Sequence, residues 1–138
     1  MGVALRDLLE GEEISLNDLK GKTLVIDAYN NLGKHEFMLA SHLYSELNNL
    51  NKITVIGTDF RSLKRTPTVS FVHNEFTANQ ICQKLAQENI CARDGHFYAL
   101  KAIQSLGLEE RGGVTRLGIS AYNSLDEINR TVEAISKI

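Results

Sequence analysis

The chain has 138 residues, 43% of them hydrophobic, with 15 Lys and Arg set against 17 Asp and Glu. Such a composition excludes a disordered tail as the main content and suits one domain with a real core. A formal net charge of −2 gives no general pull toward nucleic acid or an anionic membrane. No apolar run reaches the roughly 20 residues of a membrane span, and no secretory leader is expected. Cys82 and Cys91 fit no zinc-ligand spacing. Both read as small buried apolar residues in a reducing, cytoplasmic setting.

In chain order, residues 1–9 form a short amphipathic turn or helix ended by Gly11, and Ser15 starts a second helix that Gly21 stops. Thr23 to Tyr29 is an apolar run of strand length with Asp27 near its C-terminal end. His35 opens a helix carrying Leu39, Leu43, Leu47 and Leu50 on one face, and Ile53 to Gly57 is a strand. Together these three predict a parallel β-α-β unit. Thr58 to Thr66 is a basic loop with Arg61, Lys64 and Arg65, read as solvated because no aromatic platform is interleaved with it.

Thr68 to Val72 is a further strand, and Thr77 to Gln80 a capping box leading a helix with Ile81, Leu85 and Ala86 inward. Residues 90–93 make a short strand. A helix from His96 to Leu106 carries Leu100, Ile103 and Leu106, with Gly107 as its left-handed cap. Glycine then gives way to a strand from Val114 to Ile119, followed by the Ser124–Glu127 capping box and a helix carrying Leu125, Ile128, Val132 and Ile135. The expectation is an α/β fold: a single compact domain over 1–138, with a mixed sheet of about four strands and helices mainly on one face.

Arg116 interrupts the last apolar strand. It reads either as an edge-strand arginine solvated at its tip, or as a fork binding a carboxylate through two parallel hydrogen bonds.

Arg116 followed by Tyr122-Asn123 and a Ser-x-Asp-Glu helix start resembles the end of class V pyridoxal-phosphate-dependent aminotransferases and cysteine desulfurases. The runs Arg93 to Leu100 and Leu106 to Gly113 resemble the cysteine-desulfurase-like members. The resemblance covers about residues 35–138, which implies the small C-terminal domain. It also implies that Arg116 holds a substrate carboxylate. Where such a desulfurase carries its sulfur-accepting cysteine this chain has Tyr98, which departs from that activity. His96 and Tyr98 read as a helix-start histidine and a packed tyrosine rather than an acid–base pair, since no partner is visible.

The first 30 residues, with Met1-Gly2-Val3, Leu19 to Lys22 and Ile26 to Asn30, resemble instead the N-terminus of flap endonucleases. That resemblance implies a metal-binding carboxylate at Asp27 and a glycine near the active site at Gly2. A two-metal site needs several carboxylates, so Asp27 reads as a solvated or turn-capping residue.

Two pieces with conflicting functions meet near Asn31. The expectation is a chimera of residues 1–34 and 35–138 in one fold, without catalytic activity. It holds neither cofactor nor certain partner, and nucleic acid and membrane binding are not expected; self-association is left open. Two other readings stand beside it: an aminotransferase-like fragment keeping its carboxylate-binding Arg116, and a metal-dependent nuclease remnant.

Overall fold

The structure is a computed structural model whose described residues are 24–61 and 65–138, with side chains described from Gly33 onward. The expected helices before residue 23 and the position of Gly2 lie outside these residues. Backbone contacts divide the chain into Met1–Asn31 and Leu32–Ile138, and the second unit holds the whole sheet.

The elements run α1 (Leu24–Asn48), β1 (Ile53–Ile56), β2 (Thr68–His73), α2 (Ala78–Gln87), β3 (Arg93–Gly95), α3 (Leu100–Ser105), β4 (Val114–Gly118) and α4 (Leu125–Ser136). The four-stranded sheet has the order β1-β2-β4-β3, and each of its three pairings is antiparallel. An α/β fold with four strands is as the sequence led one to expect; the parallel β-α-β unit is not. The apolar run 23–29, Asp27 included, is helical from Leu24 onward rather than a strand. Extending an existing helix is cheap once its first turn exists, and no proline blocks it, since the only one is Pro67.

One sheet face carries Val69, Phe71 and His73 of β2, and the facing Thr115 and Leu117 of β4, all buried. Leu39, Leu43 and Leu47 of α1 join them, with Ile81 and Leu85 of α2 and Ile128 and Ile135 of α4. Leu50, Val132 and Ala134 are only partly buried against this core, while Ala86, expected inward, is exposed. Two side chains tie α1 to the start and face of α4: His35 Nε2 donates to the Asn123 carbonyl at 2.8 Å, and His42 Nε2 meets Asn129 Oδ1 at 2.8 Å. Among the described residues, α1, α2 and α4 thus cover one face.

The local signals for helix ends hold. Thr77 and Ser124 form complete capping boxes with Gln80 and Glu127. Helix α2 ends at left-handed Asn89, with Asn89 N bonded to the Ala86 carbonyl and Ile90 N to that of Leu85. Gly107 ends α3 in the same way, seating Leu108 beside Ile103. Helix α3 is shorter than the expected 96–106, because Phe97 and Tyr98 have φ of 49° and 63° and leave no right-handed turn before Leu100. Leu100 and Leu106, expected inward, are exposed; Ile103 is buried.

Candidate functional site

The second sheet face is where strand alternation sends every other residue of β2 and β4. Ile103 and Leu108 cover part of it, packing with Val114, Ile56, Val72 and Phe97. The register then sets Ile56, Ser70, Arg116 and Arg93 side by side across β1, β2, β4 and β3. Arg116 therefore stands on an inner strand, not the edge strand that its solvated reading supposed.

Its guanidinium carbon lies 3.9 Å from the centre of the Phe97 ring. A stacked guanidinium keeps its hydrogen-bonding edge free while its plane is fixed. Among the described residues neither Arg116 nor Arg93 has a salt-bridge partner. The other described arginines of the loops are used internally. Arg111 donates to the carbonyls of His73 at 2.6 Å and Asn74 at 3.1 Å. Arg65 stacks on Phe60 and donates to the carbonyls of Thr58 and, at 2.9 Å, Thr68, while Arg61 pairs with Asp59.

The turn beside the row is shaped by two close glycines. Gly95 pairs with Val114 at the end of β3, and Gly113 precedes Val114. A methyl carbon placed on Gly113 would fall on the Gly95 carbonyl, 2.5 Å from its carbon and 3.1 Å from His96 N. Residues 96–98 follow this close approach, and the Phe97 ring lies under Arg116. His96 Nδ1 accepts a hydrogen bond from Tyr98 N at 3.1 Å. Tyr98 is 99% exposed, so it is not the packed tyrosine expected, and His96 sits in the turn ahead of α3 rather than on a helix start.

Asn123 acts as a joint of the fold. Its Oδ1 accepts from Ser120 N at 2.9 Å, and its backbone carbonyl takes the His35 bond. Tyr122 beside it is exposed. Sequence reasoning passed over Arg93, Ser70 and Phe97, although Arg93 and Phe97 stood in a run it singled out. Their signal is a strand register, which sequence spacing does not carry.

Asp27 lies within α1, away from the strand end on which its metal reading rested. Among the described residues no three His, Cys, Asp or Glu side chains converge on a metal position. Of the two cysteines, Cys82 is half-buried on α2, and burial, followed by the charge of Asp94, pushes its thiol up to about 11. Cys91 is exposed in the turn before β3, against the buried reading: Asn89 and Ile90 complete the α2 cap there, and the core takes Ile90.

Pyridoxal phosphate requires a lysine for covalent attachment, a partner for its ring nitrogen and a phosphate cup. The described residues do not fit it. Lys52 pairs with Glu75 at 3.4 Å, Lys84 lies 4.7 Å from the Phe76 ring centre and Lys137 pairs with Glu133 at 2.6 Å. Lys34 and Lys101 are exposed, and no lysine belongs to the Arg93–Arg116 row.

The model of the aminotransferase class-V family matches residues 24–131. A probable cysteine desulfurase of Methanothermobacter thermautotrophicus is 27% identical over 146 residues, covering 99% of this chain and 36% of its own length. An aminotransferase-like protein of Gibberella zeae is 29% identical over 110 residues, covering 78% of this chain and 27% of its own. Among solved structures, the cysteine desulfurase of Thermococcus onnurineus superposes with a TM-score of 0.71 at 24% identity, over 80% of this chain and 26% of that one. The chain thus spans about a third or less of the proteins it matches. One of them aligns with nearly all of it, the first 30 residues included, so the likeness of those residues to a flap endonuclease, and with it the two-parent origin, gains no support.

Proposed function

The chain belongs to the aminotransferase class-V family, and we propose that it is the carboxylate-binding C-terminal domain of a cysteine-desulfurase-like member, with Arg116 as the binding fork. The observation that carries this reading is the Arg116 guanidinium, stacked 3.9 Å from the centre of Phe97 on the less covered sheet face and without an acidic partner among the described residues. A planar guanidinium held this way presents parallel N–H groups that match a carboxylate. The fragment reading therefore takes precedence over that of a chimeric scaffold.

We assign the chain binding rather than turnover. Pyridoxal phosphate, when bound in such an enzyme, supplies the electron sink for chemistry at an amino acid; the described residues here offer it no attachment lysine. Tyr98 also supplies a phenol where the desulfurase resemblance calls for a sulfur-accepting thiol. The role left to these side chains is to hold and orient a substrate carboxylate.

The test is a titration of the 138-residue chain with propionate at constant ionic strength, followed through the backbone amide NMR signals of its neighbours Ser70, Phe97 and Leu117. Saturable shifts that vanish in Arg116→Gln are expected. No saturable shift, or the same shift in the variant, would overturn the assignment.

A further inference from the structure

Arg93 and Arg116 are direct partners across β3 and β4. Cross-strand partners place their Cβ atoms about 4.5–5.5 Å apart, and like charges so placed destabilise a sheet. Among the described residues no carboxylate offsets that repulsion, and the Phe97 ring answers Arg116 alone. Nearby acids are turned elsewhere: Asp94 is the neighbour of Arg93 in β3 but pairs with Thr115 on the helix-covered face, where Asn79 reaches it at 3.4 Å. The strands thus separate the acid from both bases.

The two arginines also differ. Phe97 fixes the Arg116 plane, while Arg93 is exposed and free to adjust its reach. Ser70 stands on the other side of Arg116, its hydroxyl not used in a hydrogen bond among the described residues. A rigid fork, an adjustable one and a spare hydroxyl make a row with two places for anions.

Resting on the carboxylate reading above, we propose that the Arg93–Arg116 row takes a small dicarboxylate, with one carboxylate on each guanidinium. Each fork suits one planar carboxylate through parallel hydrogen bonds. A diacid would bridge the two bases and cancel their repulsion. A monocarboxylate would leave Arg93 unanswered.

Titrations with propionate, succinate and sulfate at one ionic strength test this on the 138-residue chain. Succinate should bind about 1.4- to fivefold more tightly than propionate after correction for its two ends, the range of one additional exposed ion pair. Arg93→Gln should bring that ratio to one, weakening succinate more than propionate. A ratio of one in the unaltered chain, a ratio that survives Arg93→Gln, or sulfate binding above succinate would each overturn the dicarboxylate assignment. The carboxylate fork fails separately: propionate shifts would then be absent, or persist in Arg116→Gln.

Discussion

Gly113 links the stability of the sheet to the geometry of the arginine row, and Gly113→Ala is the substitution in which that link can be measured. Two costs add at this position. The backbone has φ of +88°, where an L side chain costs roughly 1–2 kcal/mol. The new methyl carbon would also fall on the Gly95 carbonyl, 2.5 Å from its carbon and 3.1 Å from His96 N. Both obstacles are backbone, so no rotamer change removes the clash, and overpacking of this kind costs about 1–3 kcal/mol. The sum is about 2–5 kcal/mol, against a total stability of about 5–15 for a domain of this size.

Gly112 supplies the control. It also has positive φ, +73°, but a methyl there meets nothing within 4 Å. Gly112→Ala should therefore show the conformational cost alone, about 1–2 kcal/mol. Urea unfolding followed by circular dichroism gives both values. The cheapest relief for Gly113→Ala is to push β3, only three residues long, away from β4, which also separates Arg93 from Arg116 and draws Phe97 from beneath it. The variant should then lose the preference for succinate over propionate. Equal destabilisation by the two substitutions, within about 0.5 kcal/mol, would refute the close-approach reasoning, since that is the scatter of unremarkable surface changes.

Two further outcomes concern titrating groups. A disulfide reagent at pH 8 should modify one thiol per folded chain quickly, the exposed Cys91, and reach Cys82, pushed up to about 11, only after urea is added; equal rates for both thiols in the folded chain would contradict this. His73 is buried and accepts hydrogen bonds at Nδ1 from the backbone N–H of Glu75 at 3.0 Å and Phe76 at 3.3 Å, which requires the neutral ring. Burial holds its pKa below the ordinary 6.5, with Lys52, Arg111 and Lys84 acting in the same direction against the opposing Glu75. As pH falls through 6.5 the unfolded chain takes up a proton that the folded chain refuses. The His73 contribution is thus full above pH 6.5 and declines below it. The urea midpoint should drop between pH 7 and 5.5 less steeply in His73→Asn than in the unaltered chain, and parallel slopes would dispose of the proposal.

Most of the fold from Leu32 onward was legible because its signals are local. Thr77 and Gln80, Ser124 and Glu127, and Gly107 act through neighbours three or four residues away, so spacing alone identifies them. Leu39, Leu43 and Leu47 recur with the helix turn and are all buried. Where local signals were ambiguous, reading failed. Leu24-Val25-Ile26 suits a strand by residue type, but a short apolar run does not distinguish a strand from a buried helical segment, and the helix beginning near His35 extends back through it. The Phe97–Tyr98 turn was hidden for a related reason: nothing in the two side chains announces left-handed backbone.

The arginine row depends on pairings between segments far apart in sequence, yet its position on the sheet follows from the core. Thr115 and Leu117 are buried against the helices, partnering Phe71 and Val69. With a period of two, burying those residues obliges Arg116 to face the other way. A slip of one residue in β4 would bring the guanidinium into the apolar layer beside Phe71 and expose Leu117, so the hydrophobic pattern protects the site's register. The same pattern operates in β3, where Asp94 faces the Thr115 side and Arg93 must then share the face of Arg116. Two positive charges side by side, without an acidic partner among the described residues, are therefore a consequence of how the core is satisfied, and the dicarboxylate proposed above is the ligand that would answer both.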